Sequence, residues 1–492
     1  MMSHIKMFTI PLKSIYNKEV KNCLISKGML KLRSKIICEK NNLGEEILMK
    51  IIIIGTNHAG IAAANTLLEN YPEHEIVMLE RNSNLSYLGC GTALWVGRQI
   101  DDYKGLFYTN EEAFAKKGAR IYTETEVSNI DFSNKKVYAQ KKDGEKFEES
   151  YDKLILATGS LPISPKFPGY DLEGLHFLKL FQEGQAVDKA LADESAKNVC
   201  VIGAGYIGVE IAEAAKRRGK NVRIFDAENT SLASYYDPEF AKMMDENLKN
   251  NGISTHFGEL VQEYIGDNGK VIAVRTNKGT YDADVVINSI GFRANTELGK
   301  NHLDLFEGGA YLVDRHFKTS DDDVYAIGDC ASNYSNAIQG TTYIALASNA
   351  VRSGIVAAHN LAGTELEGAG VQGSNGINIF NLKLVSTGLT LKAAEQANID
   401  VEYVDHEDTQ FPGFMPENHQ VKIRIIYEKA SRRIVGTQLA SDYDVSLLIH
   451  MFSLAIQEEV TIDKLALLDT FFLPHFNQPY NYITVAALKA KK

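Results

Sequence analysis

Apolar residues in this chain come in short solid blocks rather than in long alternation, and the blocks recur in one pattern. Residues 49–54 form a run of strand length that contains four consecutive isoleucines. A small-residue stretch follows, with Ile61, Ala62, Ala63, Ala64, Leu67 and Leu68 along it, and then a second apolar block at 75–79. Solid apolar blocks bounded by turn residues predict strands buried on both faces, and intervening helices predict parallel βαβ units. The succession recurs as a strand at 198–202, a helix at 209–218 and a strand at 221–225. Two isolated blocks, 151–160 and 323–329, predict further strands on either side of that second unit. The first domain is therefore expected to be interrupted by the second and resumed after it.

From about Gly373 the pattern changes. Residues 421–427 alternate apolar and polar as a strand with one wet face, 434–439 read as its neighbour, and 445–457 read as a helix. An aromatic tail at 471–480 completes an α+β module without any nucleotide motif, for which an interface role is expected. The fold class is thus α/β: two doubly wound, Rossmann-like domains plus a C-terminal α+β domain. The expected segments are a leader at 1–48, the first domain at 49–160, the second at 161–288, the resumed first domain at 289–370 and the last domain at 371–492.

The turns between strand and helix carry the first chemistry. Gly55, Thr56, Asn57, His58, Ala59 and Gly60 follow the first strand, and Glu80 closes the second strand 20 residues after Gly60. In a dinucleotide-binding unit the helix N-terminus holds a pyrophosphate and the acid binds the adenosine ribose. Asn57 replaces the usual middle glycine, so this copy alone is a moderate signal. The second copy is complete: Gly203, Gly205 and Gly208, then Asp226, 18 residues beyond the third glycine. No arginine follows within 227–229, and a carboxylate there suits a free ribose 2′-hydroxyl, so NADH is favoured over NADPH. Two such motifs, 148 residues apart, predict two bound nucleotides.

Charge and cysteine usage narrow the class of protein. The net charge of −11 argues against nucleic acid or an anionic membrane as partner, and no apolar run approaches the roughly 18–20 residues of a membrane span. Residues 1–48 hold nine Lys/Arg against four Glu, leaving −16 for the remainder. That segment is read as disordered or untranslated, with Met49 as a second candidate start, because residues 43–46 can be encoded by a ribosome-binding sequence. The five cysteines (Cys23, Cys38, Cys90, Cys200, Cys330) show no disulfide or zinc spacing and fit a reducing cytoplasm. No metal-ligand cluster is expected. Cys200, in a predicted strand, and Cys330 are assigned to packing, while the remaining histidines and the charge runs at 216–218 and 321–323 are read as solvated surface.

Cys90 lies between Gly89 and Gly91, ahead of an expected helix start at 91–95. Helix N-terminal amides stabilise a thiolate, so a lowered pKa is expected there. Its unpaired state is the informative feature. Position 95, where a dithiol enzyme would carry a second cysteine, is Trp95. A sulfur that cycles alone passes most simply between thiolate and sulfenic acid.

The assembled residues resemble the flavoprotein pyridine nucleotide-disulfide oxidoreductases, in particular the single-cysteine branch of NADH oxidases, NADH peroxidases and coenzyme A-disulfide reductases. The motifs are the 55–60 turn, 86–91, 157–159, 203–208, 291–296, 327–329, and 474–477 with Tyr480. The resemblance implies FAD in the first fold, NADH in the second and subunit pairing through the last domain, as a homodimer or a dimer of dimers. FAD would be held by Gly55, Thr56, Asn57, His58, Ala59, Gly60, Glu80, Cys90, Val127, Ala157, Thr158, Gly159, Ser160 and Lys179. Asp329 would bind the ribityl chain, Ala345, Leu346 and Ala347 would lie along the isoalloxazine, and Phe472 would reach the neighbouring subunit's flavin. NADH would meet Gly203, Gly205, Tyr206, Ile207, Gly208, Asp226, Tyr235, Gly291 and Gly376, with Tyr206 as a gate over the flavin. His58 would hydrogen-bond the oxygen species on Cys90. The activity implied is four-electron reduction of dioxygen to water by NADH, with Cys90 reducing a peroxide. The alternatives are NADH peroxidase, then coenzyme A-disulfide reductase, which tends to read Asn-Cys where this chain has Gly89-Cys90. A cysteine redox sensor is the alternative outside enzymology.

Overall fold

The computed structural model describes residues 48–491. The expected leader, apart from Leu48, lies outside the described residues, as do Cys23 and Cys38. The isoleucine strand Lys50–Ile54 forms the middle of a five-stranded parallel sheet. Its order is Val324–Ala326, Lys153–Leu156, Lys50–Ile54, Glu75–Leu79, Arg120–Tyr122. Ile51, Ile52 and Ile53 are fully buried, as a strand covered on both faces requires. One face packs the helices His58–Asn70 and Ala347–Leu361, which approach so closely that a Cβ on Gly354 would stand 2.3 Å from the Ala59 carbonyl oxygen. The other face packs against Ile130 and Val137 of the three-stranded antiparallel sheet Thr125–Asp131, Lys136–Lys141, Lys146–Ser150.

The second parallel sheet runs Ser254–Phe257, Asn221–Asp226, Asn198–Ile202, Val285–Asn288, Leu175–His176. It lies in sequence between strands of the first sheet, so the first domain is indeed interrupted and resumed. The helix expected at 209–218 starts earlier, as Tyr206–Arg217, because the chain turns helical directly after Gly205. The third sheet is antiparallel, in the order Asn375–Ile379, Leu382–Gly388, Ile434–Ser441, Gln420–Glu428, Val401–Thr409. Helices Ser446–Gln457 and Tyr482–Leu488 pack on it.

A buried ionic cluster joins the second and third sheets' domains. Arg424, 1% exposed, binds Asp405 bidentately and reaches Asp237 at 3.1 Å and Glu239 at 2.9 Å. Gln438 Nε2 donates to the same Asp237 at 2.7 Å. Among the described residues no helix is long and apolar enough to cross a membrane.

Two surface expectations need correction. His359 is buried, with Nδ1 2.8 Å from the Tyr71 hydroxyl. Arg218 is part-buried and binds Asp188 at 2.9 Å and the Val96 carbonyl at 3.0 Å, so this member of the basic run ties the second fold to the helix behind Cys90.

Candidate active site

Both glycine turns have the close approach that a dinucleotide unit needs. A Cβ on Gly60 would lie 2.0 Å from the Gly55 carbonyl oxygen, and one on Gly208 would lie 1.9 Å from that of Gly203. Neither contact is tolerable, so only glycine lets helix and strand meet there. Glu80 is buried beside the first turn. One of its oxygens accepts from the Thr56 amide (3.0 Å) and hydroxyl (2.9 Å), the other from the Asn82 amide and side chain. Asp226 does the same for the second turn, accepting from Ala204 N at 2.6 Å and Glu228 N at 2.8 Å. A bulge interrupts the antiparallel pairing just after Val127. These cradles fit two dinucleotides.

The strand ends converge on a second cluster. Lys179 Nζ donates to Ser160 Oγ at 2.6 Å and to Asp329 Oδ2 at 3.0 Å, and Ser160 Oγ donates to that same oxygen at 2.9 Å. Lys179 also lies 4.6 Å from the Phe292 ring centroid. The Thr158 hydroxyl donates to the Asn295 carbonyl, and the Asn295 amide returns a bond to Gly159, which fixes the 157–160 turn. Ala345, Leu346 and Ala347 stand at the start of helix Ala347–Leu361, with Leu346 as its N-cap. Sequence reasoning therefore brought together residues 150 positions apart.

Cys90 occupies a 3₁₀ turn, Gly89–Gly91, that continues into the helix Thr92–Val96. Ser86 sets this turn: it has a left-handed φ of 59°, and its amide donates to the Thr56 carbonyl at 3.0 Å. Its hydroxyl donates to the Thr109 carbonyl and accepts from the Thr109 amide. A buried non-glycine residue held at positive φ marks a turn shaped by its surroundings. The Thr92 hydroxyl donates to the Gly89 carbonyl at 2.7 Å and meets Tyr87 OH. Trp95 is buried against Phe181 and Tyr103, so the place of a second thiol is filled by core packing. Cys90 is exposed and free, at the edge of an open cavity of about 680 Å³ lined also by Leu94, Ile100, Asp101 and Leu106. Cys200 and Cys330 are fully buried, as packing roles require.

The electrostatics of Cys90 correct the sequence reading. Its pKa is raised, first by partial desolvation, then by the charges of Glu210 and Asp329, with Lys179 opposing. A helix of five residues has little dipole to offer, and Cys90 sits ahead of its cap, Gly91. Glu210, one turn along helix Tyr206–Arg217 from Tyr206, is itself pushed up to about 7 by burial and by Glu213. Sequence reasoning missed Glu210, since a glutamate at that position reads as ordinary helix surface.

His58, the first residue of its helix, pairs with Tyr108: Nδ1 is 3.2 Å from the hydroxyl and the rings stack at 5.9 Å. The bond expected of His58 is to an oxygen species on Cys90; in the structure it is Nδ1 that Tyr108 engages. Burial, together with Lys179, lowers the His58 pKa against the pull of Asp329, which favours a neutral ring at neutral pH. Tyr108, its own pKa pushed up to about 12, had no motif to mark it.

Tyr206 is held from two sides. Its hydroxyl bonds Asn375 Oδ1 and lies 2.9 Å from Tyr236 OH, while its ring meets Tyr235 edge-on at 4.5 Å. Asn375 precedes Gly376 in the third domain's first strand, so that domain reaches the second nucleotide fold. Gly291 lies at φ 117°, after the second sheet's Val285–Asn288 strand. Phe472 is exposed on the C-terminal segment, among Leu467, Phe471, Phe476 and Tyr480.

Two glycine-turn folds, one split around the other, with a lone cysteine beside the first and an antiparallel third domain behind, define a two-nucleotide flavoprotein reductase. The family model for pyridine nucleotide-disulphide oxidoreductases matches residues 49–354, and that for their dimerisation domain matches 375–481. The chain belongs to that family, whose members use FAD and a nicotinamide nucleotide. It is 64% identical over 446 residues to an NADH oxidase of Lactococcus lactis, covering 90% of this chain and all of that one. An Enterococcus faecalis NADH oxidase is 40% identical over 444 residues, covering 90% and 99% of the two chains. Among solved structures, water-forming NADH oxidase from Lactobacillus brevis bound to NADH superposes with a TM-score of 0.87 at 37% identity, covering 89% and 97%. The reduced Bacillus anthracis CoADR-RHD superposes almost as well, at 0.86, but with 28% identity and coverage of 90% and 80%.

Proposed function

We propose that this chain is a water-forming NADH oxidase, in which two NADH reduce one dioxygen to two waters and Cys90 carries the second half of the reaction. An oxidoreductase acting on NADH is what its family and relatives establish. The proposal concerns the acceptor, the product and the cysteine. The observation that carries it is the lone, accessible Cys90 with buried Trp95 in the place of a second thiol.

FAD, when bound, would supply the chemistry that relays electrons from NADH to the acceptor. The turns at 55–60 and 157–160, with Glu80, Val127, Lys179, Asp329 and residues 345–347, are suited to hold it, and Phe472 is free to reach a second subunit. Lys179, held by Ser160 and Asp329, would offer a positive charge within that cradle. The second turn and Asp226 position NADH, with Tyr235, Gly291 and Gly376 around it, and Tyr206 stands as the gate.

The first NADH, with a proton, reduces dioxygen to hydrogen peroxide, and Cys90 as thiolate then attacks one oxygen of that peroxide. The S–O bond forms, the O–O bond breaks, and the departing hydroxide takes a proton to leave as water. The cysteine is oxidised by two electrons to sulfenic acid. The second NADH supplies a hydride equivalent, two electrons and one proton, and solvent a second proton; the S–O bond breaks, the second water leaves and the thiol returns. A neutral His58, able to donate from one ring nitrogen, suits the sulfenate once it forms. The enzyme would work in the cytoplasm as a homodimer or a dimer of dimers.

Oxygen-electrode stoichiometry tests this. Two NADH consumed per dioxygen, unchanged by catalase, is expected for the native enzyme, whereas Cys90→Ser should consume one and release hydrogen peroxide. Turnover only with added peroxide would make the protein a peroxidase, and water as the sole product of Cys90→Ser would remove the cysteine from the mechanism.

A further inference from the structure

A second cavity, of about 240 Å³, lies along the helix Ala347–Leu361, bounded by Arg315, Tyr334 and the chain at 367–371. Asn349 lines it and is only 7% exposed. Its Oδ1 accepts from Arg352 Nη2 at 2.7 Å. A guanidinium can only donate, so this bond fixes the orientation of the amide. The other end, Nδ2, is then a buried donor with no hydrogen-bond partner among the described residues. Arg352 lines the same cavity, and no carboxylate among the described residues forms an ion pair with it. Arg352 is exposed at the cavity, and the desolvation it does undergo there pulls its pKa below the ordinary guanidinium value.

The other charges at the rim already have partners. Arg315 pairs with Glu367 at 2.9 Å, donates to the Gly368 carbonyl and stacks over Tyr334. Asp314 accepts the amides of His316 and Lys318. What remains is one exposed positive charge without an ion-pair partner among the described residues and one buried N–H donor, a turn apart on the same helix. A buried unsatisfied donor carries a free-energy cost that an acceptor oxygen removes, and the neighbouring guanidinium favours an acceptor that is an anion with two or more oxygens.

We propose that this cavity is a binding site for a small oxyanion, a carboxylate or phosphate group held by Arg352 and the Asn349 amide. The volume lies below the roughly 300–1,000 Å³ of sites that enclose drug-sized ligands, so the ligand is small. None of the residues assigned to FAD, NADH or peroxide chemistry is used, and the site stands whether or not the oxidase reading does.

The test is thermal unfolding of the holoenzyme titrated with sodium phosphate or sodium acetate against chloride at constant ionic strength. Preferential binding to the native state raises the unfolding temperature saturably. A rise with phosphate alone assigns a phosphate site, and a rise with acetate assigns a carboxylate site. Arg352→Gln should keep its flavin absorbance and its unfolding temperature in chloride, yet weaken the apparent affinity by about ten- to a hundredfold, as loss of a charge-assisted hydrogen bond does. Asn349→Ala provides the second reading should that variant fold poorly. No saturable rise with either anion, or equal rises in both variants and the native enzyme, overturns the proposal.

Discussion

A thiol that reduces peroxide reacts as its anion, yet the surroundings of Cys90 push its pKa up. Part of that push comes from Glu210, a carboxyl whose own titration is moved to about 7. The thiol's acidity therefore depends on whether this carboxyl holds a proton. Glu210→Gln should lower the Cys90 pKa and speed its alkylation by iodoacetamide at pH 8, by up to about tenfold per pKa unit removed. Below about pH 6 Glu210 is protonated and the two proteins should react alike; superimposable profiles across the range would dismiss the coupling. The same substitution has a stability consequence of fixed sign. A carboxyl whose folded pKa is raised is favoured in the fold when protonated, and its penalty grows as pH rises through the unfolded value and is complete above about 7. Glu210→Gln should thus stabilise the protein at pH 8 by up to about 3 kcal/mol and leave it nearly unchanged at pH 4, as denaturant unfolding at the two pH values would record.

At the scale of the elements, the two glycine turns are alike in geometry, and the proposed reading gives them different ligands. Gly60→Ala drives a methyl into the Gly55 carbonyl oxygen and should yield protein without bound flavin, visible as lost absorbance near 450 nm. Gly208→Ala does the same at Gly203 and should keep the flavin while kcat/KM for NADH falls by about a hundredfold, the cost of roughly an ångström of misplacement. The reverse pattern would exchange the two assignments. Both turns were legible from sequence because a strand, a glycine turn and a small-residue helix leave a local pattern. So were Lys153–Leu156 and Val324–Ala326, since strands buried on both faces are solid apolar blocks. Tyr108, Glu210 and Asn375 were not. Each acts at the site through a contact made across the tertiary fold, and a tyrosine in a loop or a glutamate on a helix leaves no local mark. The acidity of Cys90 was misread for a related reason: the helix start was visible, but its length of five residues and the carboxylates facing it were not.

At the scale of the whole molecule, the third domain is tied to the second nucleotide fold and also presents a face of its own. The tie is the Arg424 cluster, in which one fully buried guanidinium serves Asp237, Glu239 and Asp405. Arg424→Leu leaves the buried Asp237 carboxylate without its cation and should cost about 3–5 kcal/mol in denaturant unfolding, with the Tyr206–Asn375 contact loosened alongside. The free face is the C-terminal segment, where Leu467 is 83%, Phe471 67% and Tyr480 80% exposed. So many exposed large apolar side chains in one short segment are uncommon on a monomer, and the segment lies within the match to the dimerisation domain. If a second copy covers it, Phe472 is delivered to the neighbour's nucleotide site and each active site is completed by two chains. Leu467→Asp combined with Phe471→Asp should therefore convert the assembly to monomers in light scattering and abolish NADH oxidation together, at folded-state far-ultraviolet circular dichroism. Full activity in a monomeric double variant would show that one chain suffices and would withdraw the role given to Phe472.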